Sequence, residues 1–239
     1  MSTNLPLVLV PGLTCDAEVW QGQIAALGGA CPIHVADHGL CDSLGAMAEN
    51  LLSRAPPRFC LAGHSMGGRV ALEVIARAPE RVAGLALLDT GFEGLNPDDG
   101  GEAERRGRYR LVDLARREGM LAMAREWAQG MVHPARREDA ALMGPLHQMV
   151  ARFSVEQFEA QIRALLARPD RSALLPQIAV PTLVLCGHED AWSPLQRHQD
   201  MAARIAHSRL VDVPDCGHMS TLEQPDAVSA ALRTWLQTV

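Results

Sequence analysis

Cys60-Leu61-Ala62-Gly63-His64-Ser65-Met66-Gly67-Gly68 decides the reading of this chain. The apolar run Phe59 to Ala62 leads in and reads as a buried strand. Gly63 to Gly67 fits the pattern G-x-S-x-G, and Arg69 to Ala78 has helical character, with Val70, Leu72, Val74 and Ile75 among its apolar positions. A strand that turns at once into a helix leaves room only for small residues beside the serine. Gly63 and Gly67 meet that need, and Gly68 adds space where the helix starts. Such a turn holds the serine in a strained conformation with its hydroxyl pushed outward. The helix start behind it offers free N–H groups and a positive dipole end, suited to developing negative charge. Five residues match this pattern often by chance; the strand before and the helix after give it a catalytic meaning.

Working outward, short apolar strands alternate with helices. Leu5 to Val10 reads as a strand, closed by Pro11-Gly12, and Val19 to Leu27 as a helix with Trp20, Ile24 and Leu27 on one face. Ile33 to Ala36 is a second strand and Leu44 to Arg54 a second helix. After the serine turn, Val82 to Leu88, Thr182 to Cys186 and Arg209 to Val213 read as strands, and Pro225 to Thr238 as an amphipathic closing helix. This alternation argues for an α/β protein with a mainly parallel sheet covered on both faces, whose ligands bind beyond the carboxyl ends of the strands. From about Phe92 to Arg171 the alternation stops. An acidic lead-in, Asn96 to Gly101, precedes helical segments at Glu102 to Glu118, Met120 to Met131, Glu138 to Phe153 and Val155 to Ala167. The expected organisation is therefore a core in two parts, 1–91 and 172–239, around a helical insertion at 92–171.

Composition narrows the class. The 239 residues are 48% hydrophobic and suit one domain with an insertion. The net charge is −6, and no Lys/Arg cluster stands on an aromatic background, so nucleic acid is not an expected partner. All 22 basic residues are arginine. The six cysteines form no C-x-x-C pair, which argues against a zinc cluster or a thioredoxin-like site, and Cys60 and Cys186 read as buried thiols. Met1-Ser2-Thr3-Asn4 carries no positive charge, so a signal peptide is not expected. No run approaches the ~18 apolar residues of a membrane span, so the expectation is a cytoplasmic protein with no membrane partner. No cofactor and no metal is expected, and the sequence does not fix an oligomeric state.

A serine hydroxyl needs a base within hydrogen-bond reach, and the base needs an orienting group. Both follow in the order Ser…Asp…His. Thr182 to Cys186 runs into Gly187-His188-Glu189-Asp190, and Arg209 to Val213 into Pro214-Asp215-Cys216-Gly217-His218.

On these residues the chain resembles the α/β-hydrolase superfamily. The resemblance spans nearly the whole chain: Val10-Pro11-Gly12 with Trp20, Gly63 to Gly68, Gly187 to Asp190, and Gly217-His218 with Glu223-Gln224-Pro225. It implies an α/β-hydrolase fold with a helical cap. Members often carry two strands ahead of the one that begins here at Leu5, so a trimmed sheet of about six is expected. It implies Ser65 as nucleophile, His218 as general base and acid, Asp190 as orienting carboxylate, and an oxyanion hole of the Leu13 and Met66 backbone N–H groups. Glu189 and Asp89 are the rival carboxylates. His64 is expected to support the serine from beneath; His133 and His147 are weaker candidates for substrate contact.

The insertion is where specificity should lie. Its Met120, Met123, Met131, Met143 and Met149, with Trp127 and Phe153, read either as helix core or as an adaptable apolar pocket wall. Trp127, Met131 and Trp192 are the candidate substrate contacts. No arginine pair is seen facing a motif, so a dianionic substrate is not expected. The leading expectation is a serine hydrolase acting on a small carboxylic ester, lactone or thioester. C–C bond hydrolysis or perhydrolysis on the same triad, and a ligand receptor of this fold with little turnover, are the alternatives.

Overall fold

The computed structural model describes residues 5–239; Met1–Asn4, the stretch read for a signal peptide, lie outside the described residues. The first half of the chain lays down β1 (Leu7–Val10), α1 (Gln21–Leu27), β2 (Ile33–Val35), α2 (Leu44–Arg54), β3 (Phe59–His64), α3 (Met66–Arg77) and β4 (Val82–Leu88). Four helices follow without a strand: α4 (Asp99–Glu118), α5 (Met120–Trp127), α6 (Ala140–Ala151) and α7 (Val155–Leu166). The chain then returns through β5 (Thr182–Gly187), α8 (Leu195–Arg204), β6 (Ser208–Val213), α9 (Ser220–Glu223) and α10 (Pro225–Leu236).

The six strands form one sheet in the order β2-β1-β3-β4-β5-β6, every neighbouring pair parallel. Central β3 and β4 are buried along their whole length, which suits the apolar runs Phe59–Ala62 and Val82–Leu88; edge strands β2 and β6 are only partly covered. The segments carrying Ser65, Asp190 and His218 follow the carboxyl ends of β3, β5 and β6.

Local chemistry sets the helix boundaries. Ser43 caps α2 by accepting the Ala46 N–H at 3.1 Å. Ser154 and Gln157 form a reciprocal capping box at the start of α7. The acidic lead-in to the insertion is partly helical, contrary to its reading as a loop: Asp98 caps α4 by accepting the Gly100 N–H at 2.8 Å, so the helix begins at Asp99. Helix α8 was not read from the sequence. Glu73, buried on α3, accepts two hydrogen bonds from Arg171 at 2.6 and 2.7 Å and pairs with Arg77. The paired ion locks the return from the inserted helices onto the core, and removing one partner would strand a buried charge.

Candidate active site

The turn between β3 and α3 is built by close approach. A Cβ on Gly67 would sit 2.0 Å from the Val10 carbonyl oxygen, and one on Gly63 would sit 2.3 Å from that of Gly67. Only glycine allows β1 and the start of α3 this near to each other. Ser65 takes φ 55°, in the left-handed region that non-glycine residues seldom occupy. Its carbonyl accepts from Thr90 Oγ1 at 2.6 Å and from the Gly68 N–H at 3.0 Å, which over-determines the strained position.

His218 Nε2 lies 2.8 Å from Ser65 Oγ, and His218 Nδ1 lies 2.8 Å from Asp190 Oδ2. The other Asp190 oxygen accepts the N–H groups of Trp192 and Ser193, each at 2.8 Å. Burial would raise the Asp190 pKa, but His218 and these donors hold it below the usual carboxylate range. Burial likewise opposes charge on His218, and the Asp190 carboxylate outweighs it, so the histidine titrates above 6.5.

The loop carrying His218 is fastened from both sides by a residue whose role was not read from the sequence. The buried Glu223 carboxylate accepts the N–H of Gly217 at 3.0 Å and of Met219 at 3.2 Å, and the N–H of His133 at 2.7 Å. Sequence position alone hinted at it, since Glu223 follows His218 on a short helix. Glu223→Ala leaves these donors buried without an acceptor. The expected result is a stability loss of about 2–4 kcal/mol in denaturant unfolding, with Glu223→Gln losing less.

The other candidates divide. The Gly12 backbone passes close to Ser65, where an added Cβ would lie 3.1 Å from Ser65 Cβ, and among the described residues no acceptor is found for the Leu13 or Met66 N–H. Trp192 stacks on Trp127 with ring centroids 5.4 Å apart and lies 5.1 Å from the His218 ring; both tryptophans line the pocket above Ser65. Met131 does not. Its side chain is 2% exposed within the core, and its contribution is a carbonyl that accepts the His218 N–H at 2.8 Å. The remaining cap methionines are also core residues, so the pocket's apolar lining comes instead from residues such as Leu111, Ile162 and Leu165. His133 spends its Nδ1 on the Ala135 N–H and does not reach the pocket, nor does His147. His64 lies buried beneath, its Nε2 2.8 Å from the His218 carbonyl oxygen, and burial lowers its pKa to about 3, so it stays neutral.

The expectation about arginines is overturned. Arg69, Arg108, Arg110, Arg168 and Arg197 all line the pocket, brought together from α3, α4, α8 and the segment after α7. Of the two rival carboxylates, Glu189 accepts the Cys216 N–H at 2.9 Å. Asp89 is fully buried, accepting the Gly187 N–H at 2.9 Å and the Ser220 hydroxyl; burial and the nearby Asp190 charge push its pKa up. Asp89, Cys186 and Asp190 stand close enough to share a cation. Their oxygens are already committed as acceptors, however, and burial raises the Cys186 thiol far above neutrality, so the trio fits a hydrogen-bond network better than a metal centre.

A parallel sheet with a strained serine between β3 and α3, met by a histidine and a carboxylate from later strand ends, defines the class of nucleophile-elbow hydrolases. A family model described as Alpha/beta hydrolase family matches residues 7–231, and the chain belongs to that family. A pimeloyl-[acyl-carrier protein] methyl ester esterase of Pectobacterium carotovorum is 29% identical over 98% of this chain and 95% of its own. A 2-succinyl-6-hydroxy-2,4-cyclohexadiene-1-carboxylate synthase of Escherichia coli is 27% identical over 95% of this chain and 91% of its own. Among solved structures, a thermophilic esterase from Thermogutta terrifontis, with malate bound, superposes with a TM-score of 0.86 at 31% identity, covering 99% of this chain and 91% of that one. No helix among the described residues is long and apolar enough to cross a membrane.

Proposed function

We propose that this chain hydrolyses small carboxylic esters through an acyl-enzyme on Ser65. The observation that carries the reading is the unbroken relay from Ser65 Oγ through His218 to Asp190, with 2.8 Å at each link. Esterase relatives at 29% and 31% identity support the substrate class. Ser65 Oγ bonds to the ester carbonyl carbon as its proton passes to His218 Nε2. The Leu13 and Met66 N–H groups hold the negative oxygen. The carbon–oxygen bond to the alcohol breaks, and the alcohol leaves with the proton from His218. Water then adds to the acyl carbon, giving its proton to the same histidine, and the acid departs as Ser65 regains a proton. The helices of 92–171 act as the cap that closes the pocket and selects the substrate.

The test is hydrolysis of p-nitrophenyl esters of increasing acyl length, followed across pH. Only neutral His218 can accept the serine proton. Since its pKa is raised, kcat/KM is expected to be full on the alkaline side and to fall as pH drops through a value above 6.5. A profile flat from pH 5 to 9, or no turnover of any ester in the series, contradicts the reading.

A further inference from the structure

The pocket beside Ser65, about 450 Å³ in volume, has five arginines in its wall, in a chain whose net charge is −6. Their counter-charges are fewer. Glu104 accepts from both Arg168 Nη1 and Nη2 at 2.7 Å and from Arg108 Nε at 2.8 Å. Glu93 lies 3.2 Å from Arg197 Nε, and Glu126 pairs with Arg110. Three carboxylates thus pair with four of the five guanidinium groups. Arg69 is the one left over. Among the described residues it forms no ion pair, and its hydrogen bond runs from Nη1 to the Glu93 carbonyl oxygen at 2.7 Å.

Arg69 stands four residues past Ser65 on α3, about one helical turn from the nucleophile. Arg69 is half-buried and has no carboxylate in direct contact, so an anion entering the pocket would complete it. We propose that the ester taken by this pocket carries a second, free carboxylate, and that Arg69 receives it through a forked hydrogen bond. Guanidinium and carboxylate match in plane and spacing, which lysine would not reproduce. Burial, with Arg168 and Arg197 beside it, lowers the Arg69 pKa to about 9 against the opposing pull of Glu93 and Glu104; the group remains a cation at neutral pH. Asp89, also on the wall, is pushed up by burial and by Asp190, so it does not fill that need. The simpler role for Arg69 is to brace the turn after β4 through the Glu93 carbonyl. A brace has no reason to distinguish an anionic ester from a neutral one.

The proposal rests on the Ser65 reading only for where the ester bond lies, so the experiment measures binding rather than turnover. Ser65→Ala protein is titrated with monomethyl adipate and with methyl hexanoate. The anionic ester is expected to bind roughly 10- to 100-fold tighter, the range of a charge-assisted hydrogen bond. In the same background Arg69→Met should bring that ratio near one, and Arg69→Lys should restore part of it. Equal affinities in Ser65→Ala, or an unchanged ratio in Arg69→Met, overturn the subsite. Failure of the esterase reading would show elsewhere, as hydrolysis that survives Ser65→Ala, and would leave the binding ratio intact.

Discussion

Ser65→Ala is expected to lower kcat for any ester substrate by roughly 10⁴- to 10⁶-fold, with the fold unchanged. The change removes the atom that bonds to the substrate and touches little else. Ser65 Oγ has His218 Nε2 as its hydrogen-bond partner, and the backbone at φ 55° is held by Thr90 and Gly68 through the carbonyl rather than by the hydroxyl. Alanine fits the same space, so the midpoint of unfolding should stay close to that of the parent. Residual catalysis from the Leu13 and Met66 N–H groups would still exceed the rate in water. A loss of less than about tenfold would remove Ser65 from the chemistry.

The second large effect is expected at Asp190. Asp190→Asn should lower kcat about 10⁴-fold, because an amide facing His218 Nδ1 favours the tautomer with its proton on Nε2, and that nitrogen can then no longer take the serine proton. The acidic limb of the pH profile should also move to lower pH, since the carboxylate that raises the His218 pKa is gone. Asp89→Asn is the control that decides between two buried acids. Its oxygens accept the Gly187 N–H and the Ser220 hydroxyl, whereas the His218 Nδ1 hydrogen bond goes to Asp190. A loss of less than about tenfold is expected there. Equal losses at the two positions would transfer the orienting role to Asp89.

What could be read from the sequence was local. Gly63, Ser65 and Gly67 announce the turn because the strand, the steric limit and the helix all fall within a few residues. Strand β4 reads cleanly as Val82–Leu88 because it is buried on both faces and nothing polar interrupts it. The sheet of about six strands, expected from the resemblance, is the one observed, although its edge strands β2 and β6 carry polar residues and are only partly covered. The pocket was less legible. Met131 sits in an apolar run that suits a wall or a core equally, and only packing decides for the core. Arg69, Arg108, Arg168 and Arg197 are scattered along the chain, and each looks like an ordinary helix-surface cation until tertiary structure gathers them. Glu223 was hidden for the same reason: its partners are backbone N–H groups, which carry no sequence signal.

The order in which the site is assembled matters during synthesis. Ser65 stands between β3 and α3, early in the chain, whereas His218 follows β6, the last strand laid down and an edge of the sheet. A nascent chain still lacking that strand carries Ser65 without His218, its hydrogen-bond partner. The Ser65–His218 contact therefore forms late, once the final strand has paired with β5. On the proposed mechanism, a growing polypeptide on the ribosome carries no activated hydroxyl until the last strand of the sheet is in place.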